Sequence, residues 1–247
     1  MPAAASPHKA LVSAAHRLRD TLKPLRFSPP VEFVYNPLEY AAEPHEAYLT
    51  RYGSTRKKVV FLGMNPGPFG MTQTGVPFGE IAAVRDWLGI KTAVGKPPKE
   101  HPKRPVVGFD CPQSEVSGRR LWGLFAQRFG PAEAFFADHF VANYCPLVFM
   151  SETGANLTPD KIRPAEMEPV FRACDEHLHQ LVEALQPEWL IGVGGFAEGR
   201  ALMLKPAFPD MKIARILHPS PASPAANKDW SGNVTRTLEK LGVWEPS

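Results

Sequence analysis

Asn65, Asn143 and His218 each stand at the end of a short apolar run. An asparagine in such a place presents a donor and an acceptor together, a pair that suits the Watson–Crick edge of a pyrimidine. A histidine there offers acid–base chemistry or a hydrogen bond to developing charge. Lone histidines and asparagines are usually structural, and the chain has eight histidines. Only His218 directly follows an apolar strand and opens a triple-proline loop, HPSPASP. Asn65 is an amide, so it cannot act as a general base at neutral pH.

The residues after the first apolar run read GMNPGPFGMTQTGVPFGE, from Gly63 to Glu80. Gly67, Gly70, Gly75 and Gly79 permit close approach of backbone to a ligand. Pro66, Pro68 and Pro77 stiffen the loop, and Phe78 places an aromatic near its end. Met64, Phe69, Met71 and Phe78 are more apolar than a simple connector needs. No Gly-Lys-Ser/Thr follows, so this is not a Walker loop. A third run ends in Gly192-Val193-Gly194-Gly195-Phe196-Ala197, which matches the dinucleotide pattern, with Asp210 in the acidic position. That fingerprint belongs to the first strand–helix turn of its fold, whereas here it follows the third strand. Glycine for close helix–strand packing is the better reading.

The elements that must position these residues alternate. Strands are expected at 58–63, 140–144, 189–194 and 212–217, each short, apolar and followed by a break. The first and third are apolar almost throughout, as strands covered on both faces are. Helical stretches are expected at 6–25, 79–89, 117–129, 164–185, 197–204 and 227–241. The class is therefore α/β with a mostly parallel sheet. Ligands of such sheets sit beyond the carboxyl ends of the strands, which groups the residues above into one candidate site.

Composition narrows the classes further. The chain has 247 residues, 44% of them hydrophobic, and a net charge of +3. Its 27 prolines are about twice the usual share, but 15 phenylalanines argue against disorder. Three scattered cysteines with no CxxC pair exclude a disulfide scaffold, a zinc ribbon and a four-cysteine cluster. No apolar run reaches about 18 residues and no signal-peptide core is present, so an intracellular, membrane-free protein is expected. Between 91 and 128, eight basic residues stand against three acidic ones, a local basic face fit for phosphates. Residues 91–113 read as a long Pro- and Lys-rich loop. No composition shift marks a boundary, so residues 1–247 are read as one domain, with 1–28 as an N-terminal helical extension.

Taken together, the strings 63–80, GFDCPQSEVSGRRLW (108–122), NYCPL (143–147), NLTP (156–159) and HPSPASPAANKDW (218–230) resemble the single-strand-selective monofunctional uracil-DNA glycosylases. The resemblance runs from about residue 30 to 245. It implies a three-layer α/β sandwich with a central four-stranded parallel sheet between helices. It also implies hydrolysis of the N-glycosidic bond of uracil, and of 5-substituted uracils such as 5-hydroxymethyluracil, in single- and double-stranded DNA. An abasic site is left, and no metal or cofactor takes part.

Carried over residue by residue, Asn65 orients the attacking water and His218 stabilises the departing base. Asn143 pairs with the pyrimidine edge and Phe78 stacks on the flipped base. Met64 also belongs to the substrate-binding set. Gly67 and Met71 lie near C5, where Gly67 leaves room for a 5-substituent. Pro219, Ser220, Pro221, Ala222 and Ser223 form the DNA-facing loop, and Lys228 contacts phosphate. Ala222 departs from the family, many of whose members carry a wedging arginine there. No lysine in the main motifs suits Schiff-base chemistry, so a monofunctional enzyme is expected. A DNA-lesion binding module without catalysis and a nucleotide-binding oxidoreductase using GVGGFA are the rival readings. The expected form is a monomer, cytoplasmic in a bacterium and nuclear in a eukaryote.

Overall fold

A computed structural model describes residues 6–246. Helix α1 (Pro7–Leu22) buries Leu11, Ala14, Ala15, Leu18 and Leu22 along one stripe. It stops short of the expected Leu25 because Pro24 cannot continue a helix. The remainder of the 1–28 extension runs toward β1 (Phe33–Tyr35), and Met1–Ala5 lie outside the described residues. Next come α2 (Pro37–Tyr40), α3 (Ala42–Tyr52), β2 (Val59–Gly63) and the single turn α4 (Met71–Thr74). The expected 79–89 helix shortens to a π-helical turn at Ala83–Trp87 that buries Val84. Residues 91–113 form an irregular segment holding one 3-10 turn, Gly108–Asp110.

Helices α5 (Val116–Phe129) and α6 (Ala132–Asp138) lead into β3 (His139–Asn143). Strands β4 (Val148–Met150) and β5 (Asn156–Leu157) pair antiparallel, and β4 also pairs with β1. Then follow α7 (Pro164–Leu185), β6 (Trp189–Val193), α8 (Gly195–Leu202), β7 (Lys212–Ile216) and α9 (Pro224–Lys240). The main sheet has the order β3-β2-β6-β7 and is parallel throughout. All five residues of β2 are buried, as a central strand with both faces covered requires.

Adjacent residues of the sheet point to opposite faces. On one face, Phe140 meets Tyr48 of α3 at a ring separation of 5.1 Å, and α1 and α7 complete that layer. On the other, Phe61 meets Phe125 of α5 at 5.0 Å, and Phe125 stacks on Phe135 of α6 at 4.3 Å. Sheet and two helical layers form the three-layer sandwich. Among the described residues no helix is long and apolar enough to cross a membrane.

Two histidines are buried in the neutral form. His45 bonds through Nδ1 to the carbonyl of Gly75 at 2.8 Å. The Nε2 of His139 accepts from Trp244 Nε1–H at 3.1 Å, which leaves its Nδ1–H to donate to Phe135 O. Burial holds both pKa values down at about 4. Between pH 6.5 and 4 the unfolded chain therefore binds more protons than the folded one, so stability falls as pH falls through that window. At about 1.4 kcal/mol per unit, the two together contribute on the order of 7 kcal/mol, and His177, also held at about 4 by burial, acts in the same direction. Thermal unfolding followed by circular dichroism should show Tm dropping steeply from pH 6.5 to 4.5, less so in His139→Phe. A flat Tm over that range would refute this account.

Candidate active site

The carboxyl ends of β2, β3 and β7 bring the candidate residues together. The β2–β3 pairing runs on past the strands, with Tyr144 N–H donating to Gly63 O and Cys145 N–H to Met64 O. This fixes Asn143 beside Gly63. A Cβ on Gly63 would overlap Asn143 Oδ1 and would lie 2.5 and 2.7 Å from the ring carbons of Phe78. The amide and the aromatic ring therefore meet over a bare patch of backbone. Asn143 Nδ2 donates to Met71 Sδ at 3.5 Å, which sets which way the amide faces. Asn65 Nδ2 donates to Leu147 O at 3.1 Å, and Oδ1 takes no protein donor among the described residues. Gly67 is bare toward open space: a Cβ there would meet nothing within 4 Å.

Phe78 has φ = +53°, a conformation that costs a bulky residue about 1–3 kcal/mol. Its surroundings hold it there. The carbonyl of Phe78 accepts from Trp122 Nε1–H at 3.0 Å and from Glu80 N–H at 2.7 Å. Gly118 is bare because any Cβ would overlap that same carbonyl oxygen. Thr72, Gln73 and Thr74 are buried and brace the loop from beneath. Gln73 alone makes four bonds: Nε2 donates to Pro68 O and Pro105 O, and Oε1 accepts from Val107 and Gly108 N–H. It ties the 65–70 loop to the Pro- and Lys-rich segment.

Across the site, Trp230 Nε1–H donates to Leu217 O at 2.7 Å and anchors the end of β7. The next residue is His218, whose ring centroid lies 6.4 Å from that of Phe78. Ser220 N–H donates to His218 Nδ1 at 3.1 Å. Nδ1 is thus an acceptor, and the ring proton sits on Nε2. Burial lowers the pKa of His218 below 6.5, so the imidazole is neutral at pH 7. In the loop beyond, Pro219 is buried while Pro221 and Ala222 are exposed. Ser223 caps α9 by accepting from Ala226 N–H at 3.4 Å. Lys228 is exposed in the first turns of α9, just before a break at Asp229.

The third tip is occupied by packing. A Cβ on Gly192 would overlap the backbone of Glu198 in α8, and Gly194, at φ = +93°, passes close to His218 Cβ. These glycines seat a helix and clear the site. Much of the 91–128 positive charge is also engaged within the protein. Lys96 pairs with Glu100, Lys99 lies over the Phe33 ring, Arg104 over Phe69, and Arg128 pairs with Glu239. The sequence reading missed Gly63, Gly118, Trp122, Gln73 and Gly194. Gly63, Gln73, Gly118 and Trp122 lie within the strings that carry the resemblance, while Gly194 lies outside them, in the GVGGFA run.

The chain is similar to known proteins over most of its length. A family model described as the Uracil DNA glycosylase superfamily matches residues 50–242. The chain is 50% identical over 228 residues to the Bos taurus protein "Single-strand selective monofunctional uracil DNA glycosylase", covering 92% of this chain and 84% of the relative. It is 48% identical over 243 residues to the Rattus norvegicus protein of that name, covering 98% and 87%. Its fold is similar to the crystal structure of wild-type Pedobacter heparinus SMUG2, with a TM-score of 0.65 at 18% identity, over 93% of this chain and 97% of the other. An amide and an aromatic converging over a bare strand tip, opposite a neutral histidine, thus sit in a chain that belongs to the uracil-DNA glycosylase superfamily, among its single-strand-selective monofunctional members.

Proposed function

We propose that this protein removes uracil and 5-substituted uracils from DNA by hydrolysis, with single strands as the primary substrate. The observation that carries the reading is the meeting of Asn143 and Phe78 over Gly63, with the His218 ring 6.4 Å from that of Phe78 and its proton on Nε2. A base inside a duplex is unreachable, so it must be extruded or already unpaired. Stacking on Phe78 returns about 1–3 kcal/mol of that cost. Asn143 Oδ1 accepts from uracil N3–H and Nδ2 donates to O4. Cytosine would need the amide turned round, which would set Oδ1 against the sulfur of Met71. The open space at Gly67 supports tolerance of a 5-substituent, with Met71 and Met64 as its apolar surround.

The bond to C1′ breaks ahead of water attack. Negative charge gathers on the base and positive charge on the sugar. His218 Nε2–H donates to a uracil oxygen and stabilises the anion. Asn65 Oδ1 then orients the water that captures the sugar. No covalent enzyme intermediate is needed, and exposed Lys228 serves phosphate contact. In the loop after His218, Pro221, Ala222 and Ser223 face the DNA, while Pro219 and Ser220 shape it from within.

Incubation with a single-stranded uracil oligonucleotide, followed by alkali, should cleave the strand at the uracil. An intact strand after prolonged incubation would defeat the reading. A protein that bound the same strand tightly without cleaving it would instead be a lesion-binding module. Activity on duplex DNA should be weak, because Ala222 cannot fill the space that a flipped base vacates. Ala222→Arg should raise the duplex rate several-fold and leave the single-strand rate within about twofold. An unchanged duplex rate would assign the wedge to another residue of the loop.

A further inference from the structure

Arg120 lies in the basic segment, yet its half-buried guanidinium is bonded within the protein. Nη1 donates to Pro219 O at 3.0 Å and Ser220 O at 3.4 Å, and Nη2 donates to Asn227 Oδ1 at 2.8 Å. Asn227 in turn donates from Nδ2 to Pro221 O at 2.8 Å. Three consecutive carbonyls of the loop are thereby held by two side chains from different helices. The residue enclosed by this clamp, Ser220, donates its N–H to His218 Nδ1. Arg119 makes the contrast. It is exposed and reaches only Ser114 Oγ, at 3.5 Å.

We propose that Arg120 is a positioning residue for the leaving-group histidine: with Asn227 it fixes the 219–221 loop so that Ser220 N–H stays on Nδ1 and the ring proton stays on Nε2. Two tautomers of a neutral imidazole differ only in which nitrogen is the donor, and only the Nε2–H form faces the base. Without the clamp the Ser220 amide can swing away and nothing selects that form. Helix α5 then supports both sides of the base, Trp122 and Gly118 under Phe78 and Arg120 under His218. The inference rests on the reading of His218 as the donor to the departing base.

The test compares Arg120→Gln, Arg120→Lys, Asn227→Ala and His218→Leu in the full chain, on a single-stranded uracil oligonucleotide at saturating enzyme. Arg120→Gln should slow base release at least about tenfold, since small misplacements of a catalytic group carry costs of that order. The slope of log Kd against log salt should stay as in the wild type. Asn227→Ala, which keeps the arginine charge, should slow release in the same direction. Arg120→Lys should restore the rate only in part, because an ammonium cannot fork to both partners. Nitrogen-15 NMR of the His218 ring should show an acceptor-type Nδ1 in the wild type and loss of that signature in Arg120→Gln.

A phosphate contact would behave oppositely. Arg120→Gln would then weaken Kd and reduce the salt slope by about one contact's share, as Arg119→Gln should. Its saturated rate would hold, and lysine would restore binding fully. That pattern, or an unchanged His218 spectrum, overturns the proposal. If His218→Leu itself kept full activity, the reading of His218 would fall first, independently of Arg120.

Discussion

Replacing His218 by Leu should slow base release from a saturated single-stranded uracil substrate by about 10²–10³-fold, with Kd changed by no more than about threefold. The size follows from what one preorganised donor to a developing oxyanion is worth, roughly 2.7–4 kcal/mol. It applies here because the donor needs no rearrangement when the bond breaks. Trp230 holds Leu217, Ser220 holds Nδ1, and burial keeps the ring neutral. Leu matches the imidazole in bulk, so packing against Phe78 is retained while the donor is removed. Neutrality also sets the pH behaviour. A free histidine charges near pH 6.5, but this one titrates lower, and protonating Nδ1 would set it against the Ser220 N–H. The wild-type rate should therefore hold as pH falls through 6.5 and decline only below it. A His218→Leu enzyme within about fivefold of wild type would show that the leaving anion is stabilised elsewhere.

The tips of β2, β3 and β6 were legible because those strands are buried almost throughout, and that of β7, an edge strand with Lys212 and Arg215 exposed, by its break at His218-Pro219. Buried strands read as unbroken apolar runs, and the residue ending each run is easy to locate. How the tips meet was not legible. In the order β3-β2-β6-β7, His218 follows a strand two places from β2. That is about 10 Å at the usual strand spacing. The two tips face each other across the end of β6, where Gly194 passes beside His218. A pattern resembling a dinucleotide fingerprint is close packing, since a Cβ on Gly192 would overlap the backbone of Glu198. The small sheet of β1, β4 and β5 left almost no signal, since strands of two or three residues carry no usable periodicity. The same is true of Phe78, whose left-handed backbone is imposed by Gly118 and Trp122 some 40 residues on. Charge was misleading in one respect. Counting arginines does not reveal which ones are bonded within the protein, and Arg120 is.

Gly63→Ala should lower the single-strand rate by about 10²-fold while leaving most of the fold's stability in place. Gly63 is not among the glycines with a left-handed backbone. It ends a regular strand, where alanine is acceptable to the backbone. What alanine cannot do is share space with both groups proposed to hold the base, because its Cβ would overlap Asn143 Oδ1 and press on the edge of the Phe78 ring. The ring cannot retreat freely, since Trp122, Glu80 and Gly118 confine its backbone. Asn143 cannot turn away without leaving Met71. One or both must move by the better part of an ångström, and misplacements of about 1 Å cost on the order of 10²-fold in rate. A double-mutant cycle separates this from general damage. In a Phe78→Ala background half of the collision is gone, so the same Gly63→Ala change should cost several-fold less than in the wild type. Equal costs in both backgrounds, or a Gly63→Ala enzyme with wild-type rate, would mean that the amide and the ring do not hold the base between them at this strand tip.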